Sequence, residues 1–574
     1  MSTAPVQKLN QASASGTTAR PSSGRWILGS WQDLLLFVWT PLLIAPFMLF
    51  LQSPWVGVEV ETISMIVVAF GALGHHFPGM IRAYCDRDLF ERFRLRFILA
   101  PIFLFAIFFP LYQYHPTVMK LILLLWASWH GLMQVYGFVR IYDVKVGSIS
   151  PVTAYWDWLM CLSWFTCAQF FSTAKMSGFL EAWYRSGGAL ISPQIVQMFP
   201  WVFLAGSVAV LIGFLANHVI QTSRGPKPNS AKLLMLASGI GFWWFAMVGV
   251  DNLILGVALF EIFHDIQYLA IVWLYNCRRV NTSSDIGRFM KFLFRRGMLL
   301  LYIGLVFAYG LIGLVPRFAQ DGTLKTFFTG LIWTSTILHY YYDGFIWKVR
   351  EKSTQASLGL TSGNASAQSS QRFRREMPHL LKWSPLVALL AWAFLAGPSQ
   401  PQLSADGKDD RLRRYTTELT GSTVRPQGTE EQSLLYDEFK RVRNIAESVP
   451  GDLDAQRRAA IILANFGRND EAIQLLEKVL KQHPSFVDGH QILGDIHLYR
   501  GEYDTAISCF QSALSHAKTR KERTSANLKL GEVYLVLKQF DLAKARFADA
   551  VKEDPQLEAS INALRKGDAN IKSK

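Results

Sequence analysis

Glu261, His264, Asp265 and Tyr268 stand at i, i+3, i+4 and i+7 in "FEIFHDIQYLAIVWLYN", residues 260–276. That spacing puts all four on one stripe of an α-helix. Their neighbours are apolar enough to lie in hydrocarbon, where one charged side chain costs roughly 2.5–3.5 kcal/mol. The stripe must therefore face protein, water or a metal ion. Glu-x-x-His is also the i, i+3 pair by which di-iron carboxylate bundles present two ligands from one helix.

Three other apolar runs carry comparable groups. His75 and His76 lie in "GALGHHFPGMIRAY", His130 in "WASWHGLMQVYGFVRIYD" with Gln134 one turn on, and His339 in "ILHYYYDGFIWKVR" with Asp343 one turn on. Each run ends in a basic cluster. From its first Lys or Arg, His75, His130, His264 and His339 lie 7, 10, 14 and 9 residues back, on the order of 10–21 Å of helix. The four levels are compatible with one layer.

A single intramembrane histidine is more often a hydrogen-bonded interhelical contact than a ligand. Four helices bringing imidazole to one level read as a metal or proton-handling site. Imidazole with carboxylate and open positions suits iron, mononuclear or di-iron, and no thiolate belongs to the layer. The expected ligands are His75, His76, His130, Glu261, His264, His339 and Asp343. Asp265 and Gln134 are expected to orient them, and Tyr340 to line a pocket as a hydrogen-bond donor. Arg82 and Arg87 read as positive-inside anchors or as holders of an anionic headgroup. His115, His218 and His379 are placed at the periphery.

The elements that must position these residues are membrane helices. The chain has 574 residues, 51% of them hydrophobic, and a positive mean hydropathy, which put a membrane class first. Apolar windows fall near 33–52, 61–81, 97–114, 117–139, 154–174, 199–220, 232–249, 252–276, 297–316, 325–346 and 384–398, each of a length that can cross a bilayer, the last being short. Loops sharing a side with the N-terminus hold 26 Lys and Arg and the alternate loops hold 5, which puts the N-terminus in the cytoplasm. The net charge of +15 follows from this topology and calls for no nucleic-acid partner. Five scattered cysteines, without CxxC or zinc spacing, indicate neither a disulfide framework nor a zinc finger.

The expected organisation is all-α: a disordered tail at 1–31, a polytopic domain at 32–350, a basic cytoplasmic loop at 351–383, a final span at 384–398, a linker at 399–430 and a helical-repeat domain at 431–574. If segment 384–398 spans, the repeat domain lies outside the cytoplasm of what reads as a bacterial inner-membrane protein.

Within 453–558, Ala472 and Ala506 are 34 residues apart, and both Ala506–Ala543 and Gly494–Gly531 are 37 apart. With Leu493, Tyr503, Phe510, Ala513, Leu530, Tyr534, Phe547, Ala550 and Pro555, these positions resemble tetratricopeptide (TPR) repeats. The resemblance implies a groove for a protein or peptide partner.

Three functions follow as expectations. The first is a membrane-embedded, metal-dependent oxidase, hydroxylase or desaturase acting on a lipid-like substrate near the cytoplasmic half of the bilayer, without the HxxxH and HxxHH boxes of integral-membrane desaturases. The second rests on architecture, with Glu59 and Glu61 in "VGVEVETIS" as the acidic residues that the first outer loop offers. With its span count and C-terminal repeats, the chain resembles type-C membrane glycosyltransferases, whose acidic motif belongs in that first outer loop. The third is a non-enzymatic, haem-binding or transporter-like scaffold that recruits a partner through its repeats; without CxxCH, such haem is non-covalent.

Overall fold

The structure, a computed structural model, describes residues 25–346 apart from 54, 149, 225–227, 251, 283–285 and 296, six residues of 384–392, and residues 430–558. The described residues are helical and contain no β-strand; Asp86 and Ile286 form one isolated bridge.

The first half is built from α1 (Thr40–Gln52), α2 (Val60–Cys85), α3 (Arg87–Tyr114), α4 (Pro116–Lys145), α5 (Pro151–Phe171) and α6 (Thr173–Arg185). It continues with α7 (Pro193–Arg224), α8 (Ser230–Gly249), α9 (Leu253–Thr282), α10 (Leu299–Phe318) and α11 (Gly322–Ile346). Six of these helices, α2, α3, α7, α8, α9 and α10, are long and apolar enough to cross a membrane. A seventh forms if Ser30–Val38 and Thr40–Gln52, bent by 43°, count as one span. The sequence reading expects about eleven. The difference lies in α4, α5 and α11, which carry His130, Gln134, Arg140, Asp143, Asp157, His339 and Asp343, and in segment 384–398, most of which is outside the described residues. Helices that carry a polar interior are less apolar on average.

That interior is closed at one level by a buried quartet. Lys232 Nζ donates to Asp143 (2.8 Å) and Asp157 (3.0 Å), and Arg140 donates to the same carboxylates at 3.0 and 2.9 Å. Two cations meet two anions, the form in which buried charge is tolerated. Asp251 is outside the described residues; Asn252 caps α9 by accepting from the Leu255 N–H at 3.0 Å.

The second half runs α12 (Glu430–Ser448), α13 (Leu453–Asn465), α14 (Asn469–Gln482), α15 (Val487–Tyr499), α16 (Tyr503–His516), α17 (Arg520–Val536) and α18 (Phe540–Glu553). α13–α14, α15–α16 and α17–α18 are helical hairpins. Phe510 and Phe547 press against Gly494 and Gly531, where a Cβ would stand 2.6 and 2.5 Å from the ring. The longer second period comes from α17, with 17 residues against 13 in α15. Thr519 and Glu522 form a capping box at its start.

The two halves are in contact. Ile445, Val449 and Ala455 pack with Met176, Leu180, Tyr184 and Val196 of α6 and α7. Arg185 donates to Glu438 at 2.5 Å, Arg458 to Glu181 at 3.0 Å, and Tyr184 to Asn444 at 2.7 Å.

Candidate metal centre

The backbone of α2 explains where its histidines point. From Val67 to Leu73 the helix widens into a π-helical stretch, and regular helix resumes at His76. Such stretches are frequent at functional sites. The carbonyl of Gly71 accepts the backbone N–H of His75 at 2.9 Å and lies 3.0 Å from its Nδ1. Asp265 Oδ1 stands 2.6 Å from the same Nδ1. A Cβ on residue 71 would lie 2.3 Å from the Asp265 carboxylate, so this approach requires glycine. With acceptors on one ring nitrogen, the proton belongs on Nδ1 and the Nε2 lone pair is directed inward.

Inward, the imidazoles converge. His75 Nε2 is 3.0 Å from His339 Nε2, which is 3.1 Å from His130 Nε2. His264 Nε2 is buried with no hydrogen-bond partner among the described residues. One ring nitrogen from each of His75, His130, His264 and His339 lies within 4.8 Å of the others. Two nitrogens bound at roughly 2.0–2.1 Å to one ion stand about 3 Å apart when adjacent. At most one proton can lie between any two facing nitrogens, whereas a single cation accepts every lone pair. The donor set therefore fits a compact ion.

The remaining residues expected at this site are arranged around that group. Glu261 joins His75 and Asp265 in an overlapping triad whose ligand atoms also lie within 4.8 Å. His76 does not converge: its Nδ1 is 3.0 Å from Ser335 Oγ, and its ring stacks on His339 with centroids 4.6 Å apart. Asp343 Oδ2 is 3.7 Å from His339 Nε2, while its Oδ1 accepts from the Tyr268 hydroxyl at 3.1 Å. Gln134 donates to the backbone carbonyl of His264 (2.9 Å) and to Gln267 (3.1 Å), so it steadies the backbone of α9 rather than an imidazole. The Tyr340 ring lies 4.4 Å from that of His130.

Arg82 is buried, donates to the Tyr275 hydroxyl at 2.7 Å and lies over its ring. Arg87 is exposed. Glu59 and Glu61 are exposed at the start of α2. His115 and His218 lie outside the convergent group.

Sequence reasoning missed Lys175 and Ser128. With His130, Glu261, His264 and Tyr340 they line a cavity of about 40 Å³. In the sequence Lys175 reads as a loop lysine just past an apolar run. The available signal was Ser172, which caps α6 and makes Lys175 part of a helix.

Two tetratricopeptide-repeat family models match the chain, over residues 454–485 and 493–558. The C-terminal repeats are therefore TPR repeats, a protein-interaction module. No curated protein matches the chain.

Proposed function

We propose that this protein is a multi-pass membrane enzyme holding one metal ion on His75, His130, His264 and His339 and carrying out an oxidative reaction, as an oxidase, hydroxylase or desaturase, on a lipid-like substrate. The observation that carries the reading is the mutual approach of four imidazoles from four helices, with facing nitrogens 3.0 and 3.1 Å apart. An all-nitrogen set near carboxylates suits iron, which when bound would supply redox chemistry with dioxygen. The protein's own share is to orient His75 through Asp265, to hold the site in an apolar interior, and to keep Glu261 and Tyr340 beside the space a substrate would enter.

The topology proposed with it has about eleven spans, a cytoplasmic N-terminus and TPR repeats on the other side. The Lys and Arg distribution supports it, and so does the docking of α12 and α13 on α6 and α7. Residues 175–198 belong to the loops poor in Lys and Arg. Trp392, in segment 384–398, stacks on Trp183 of α6 with centroids 5.0 Å apart.

The test is metal analysis of protein purified in detergent. One equivalent of iron, lost in both His264→Ala and His339→Ala while the monodisperse elution profile is retained, is the expected result. Protein that carries no metal and takes up none of the first-row divalent ions overturns the proposal.

A further inference from the structure

Lys175 is a buried lysine beside the metal site, within electrostatic reach of Glu261 but not in contact with it. Among the described residues its Nζ has no carboxylate within 4 Å; its polar contact there is Ser128 Oγ at 3.5 Å, and it sits 4.7 Å from the centroid of Trp243. A buried ammonium is costly unless paired, and Lys offers three donors of which one is engaged, at long range. Ser128 is held from behind by Gln169, which donates to its Oγ at 2.8 Å.

Lys175 and Ser128 line the same cavity as His130, His264 and Glu261, and the rest of its lining includes apolar Trp243, Met247 and Val257. Val257 is 40% exposed on the outer face of the bundle, so this part of the lining borders the surface that meets lipid. A space of about 40 Å³ holds roughly two or three waters, the size of a carboxyl or carbonyl end group rather than of a whole lipid.

We propose that Lys175 docks the acyl oxygen of a long-chain apolar substrate, either a carboxylate or a carbonyl, with the chain leaving past Val257 toward the hydrocarbon. The ammonium supplies the missing partner for the oxygen, the oxygen relieves the buried charge, and the carbons next to it lie beside His130 and His264. This assignment deepens the oxidative reading by naming the substrate class, and its binding step needs no metal.

The experiment is equilibrium binding of radiolabelled oleate to the purified full-length protein in detergent, with and without prior chelation. Unlabelled oleate, methyl oleate and 1-octadecene serve as competitors. Competition by oleate and methyl oleate but not by octadecene is expected, with affinity falling about tenfold or more in Lys175→Met, the loss expected for a hydrogen bond to a charged group. Lys175→Arg should keep most of the affinity. Stronger competition by oleate assigns a carboxylate, and equal competition a carbonyl. Equal binding by Lys175→Met and wild type, or octadecene competing as well as oleate, overturns the proposal. Because binding is read on chelated protein too, a protein that binds oleate through Lys175 yet carries no metal would sink the oxidative reading and leave this one standing.

Discussion

Asp265 Oδ1 lies 2.6 Å from His75 Nδ1, on the side of the ring opposite the nitrogen that faces His339. The carboxylate fixes the tautomer and makes the inward nitrogen a better donor, the arrangement in which an outer partner tunes a metal ligand. Asp265→Asn keeps the shape and removes the charge. Metal affinity should fall about 10- to 100-fold with little change in thermal melting. Competition against a chromophoric chelator measures it, and unchanged affinity would show that Asp265 does not tune the ligand.

The turn after the first helix of each TPR hairpin takes a left-handed residue: Gly467 at φ 69°, Gly501 at φ 77° and Lys538 at φ 60°. Two of the three are glycine. Lys538 takes the same conformation with a Cβ, at a cost of about 1 kcal/mol. Lys538→Gly should raise the stability of the repeat domain by about 0.5–1 kcal/mol, read as a higher denaturation midpoint or slower hydrogen exchange in α17 and α18. A lower midpoint would contradict this.

The TPR repeats were legible in the sequence because small residues recur 34 or 37 positions apart, the polar stripe of α9 because its residues stand at i, i+3 and i+4, and the common level of the four imidazoles because each lies a countable distance from the basic end of its run. What periodicity does not carry is the aim of a side chain within its layer. His75 and His76 are adjacent, and only the π-helical stretch at Val67–Leu73 turns His75 into the group and leaves His76 on Ser335. Lys175 was illegible because its burial depends on where α6 lies against α4 and α8. Docking of the repeats on α6 and α7 was likewise unreadable, since Arg185, Glu181, Glu438 and Arg458 belong to segments about 250 or more residues apart.

Lys232 shares Asp143 and Asp157 with Arg140. Removing one cation leaves two buried carboxylates with a single counter-charge, so Lys232→Met should destabilise the bundle by about 3–5 kcal/mol. Melting in detergent, followed by the loss of the monodisperse peak on heating, reads the effect. A parallel Lys232→Arg variant should recover part of it. A Lys232→Met protein that melts with wild type would mean that Arg140 alone neutralises both carboxylates.

Docking of the repeats is expected to depend on pH through Glu181. Burial pushes its carboxyl up, but Arg458 and Arg185 pull it further the other way, and the net result is below the ordinary value of 4.5. A carboxyl depressed in the docked state stabilises that state above its ordinary value and loses the contribution as pH falls through the lower one. Protection of α12 and α13 from an added protease should therefore be flat from neutral pH down to about 5 and then decline on acidification. In Glu181→Gln the charge is gone at every pH, so the part of the decline due to this residue should vanish and protection near neutrality should be weaker. If wild type and Glu181→Gln lose protection along the same curve, the Arg458–Glu181 contact does not hold the repeats in place, and docking rests on Arg185–Glu438, Tyr184–Asn444 and the apolar seam of Ile445, Val449 and Leu180.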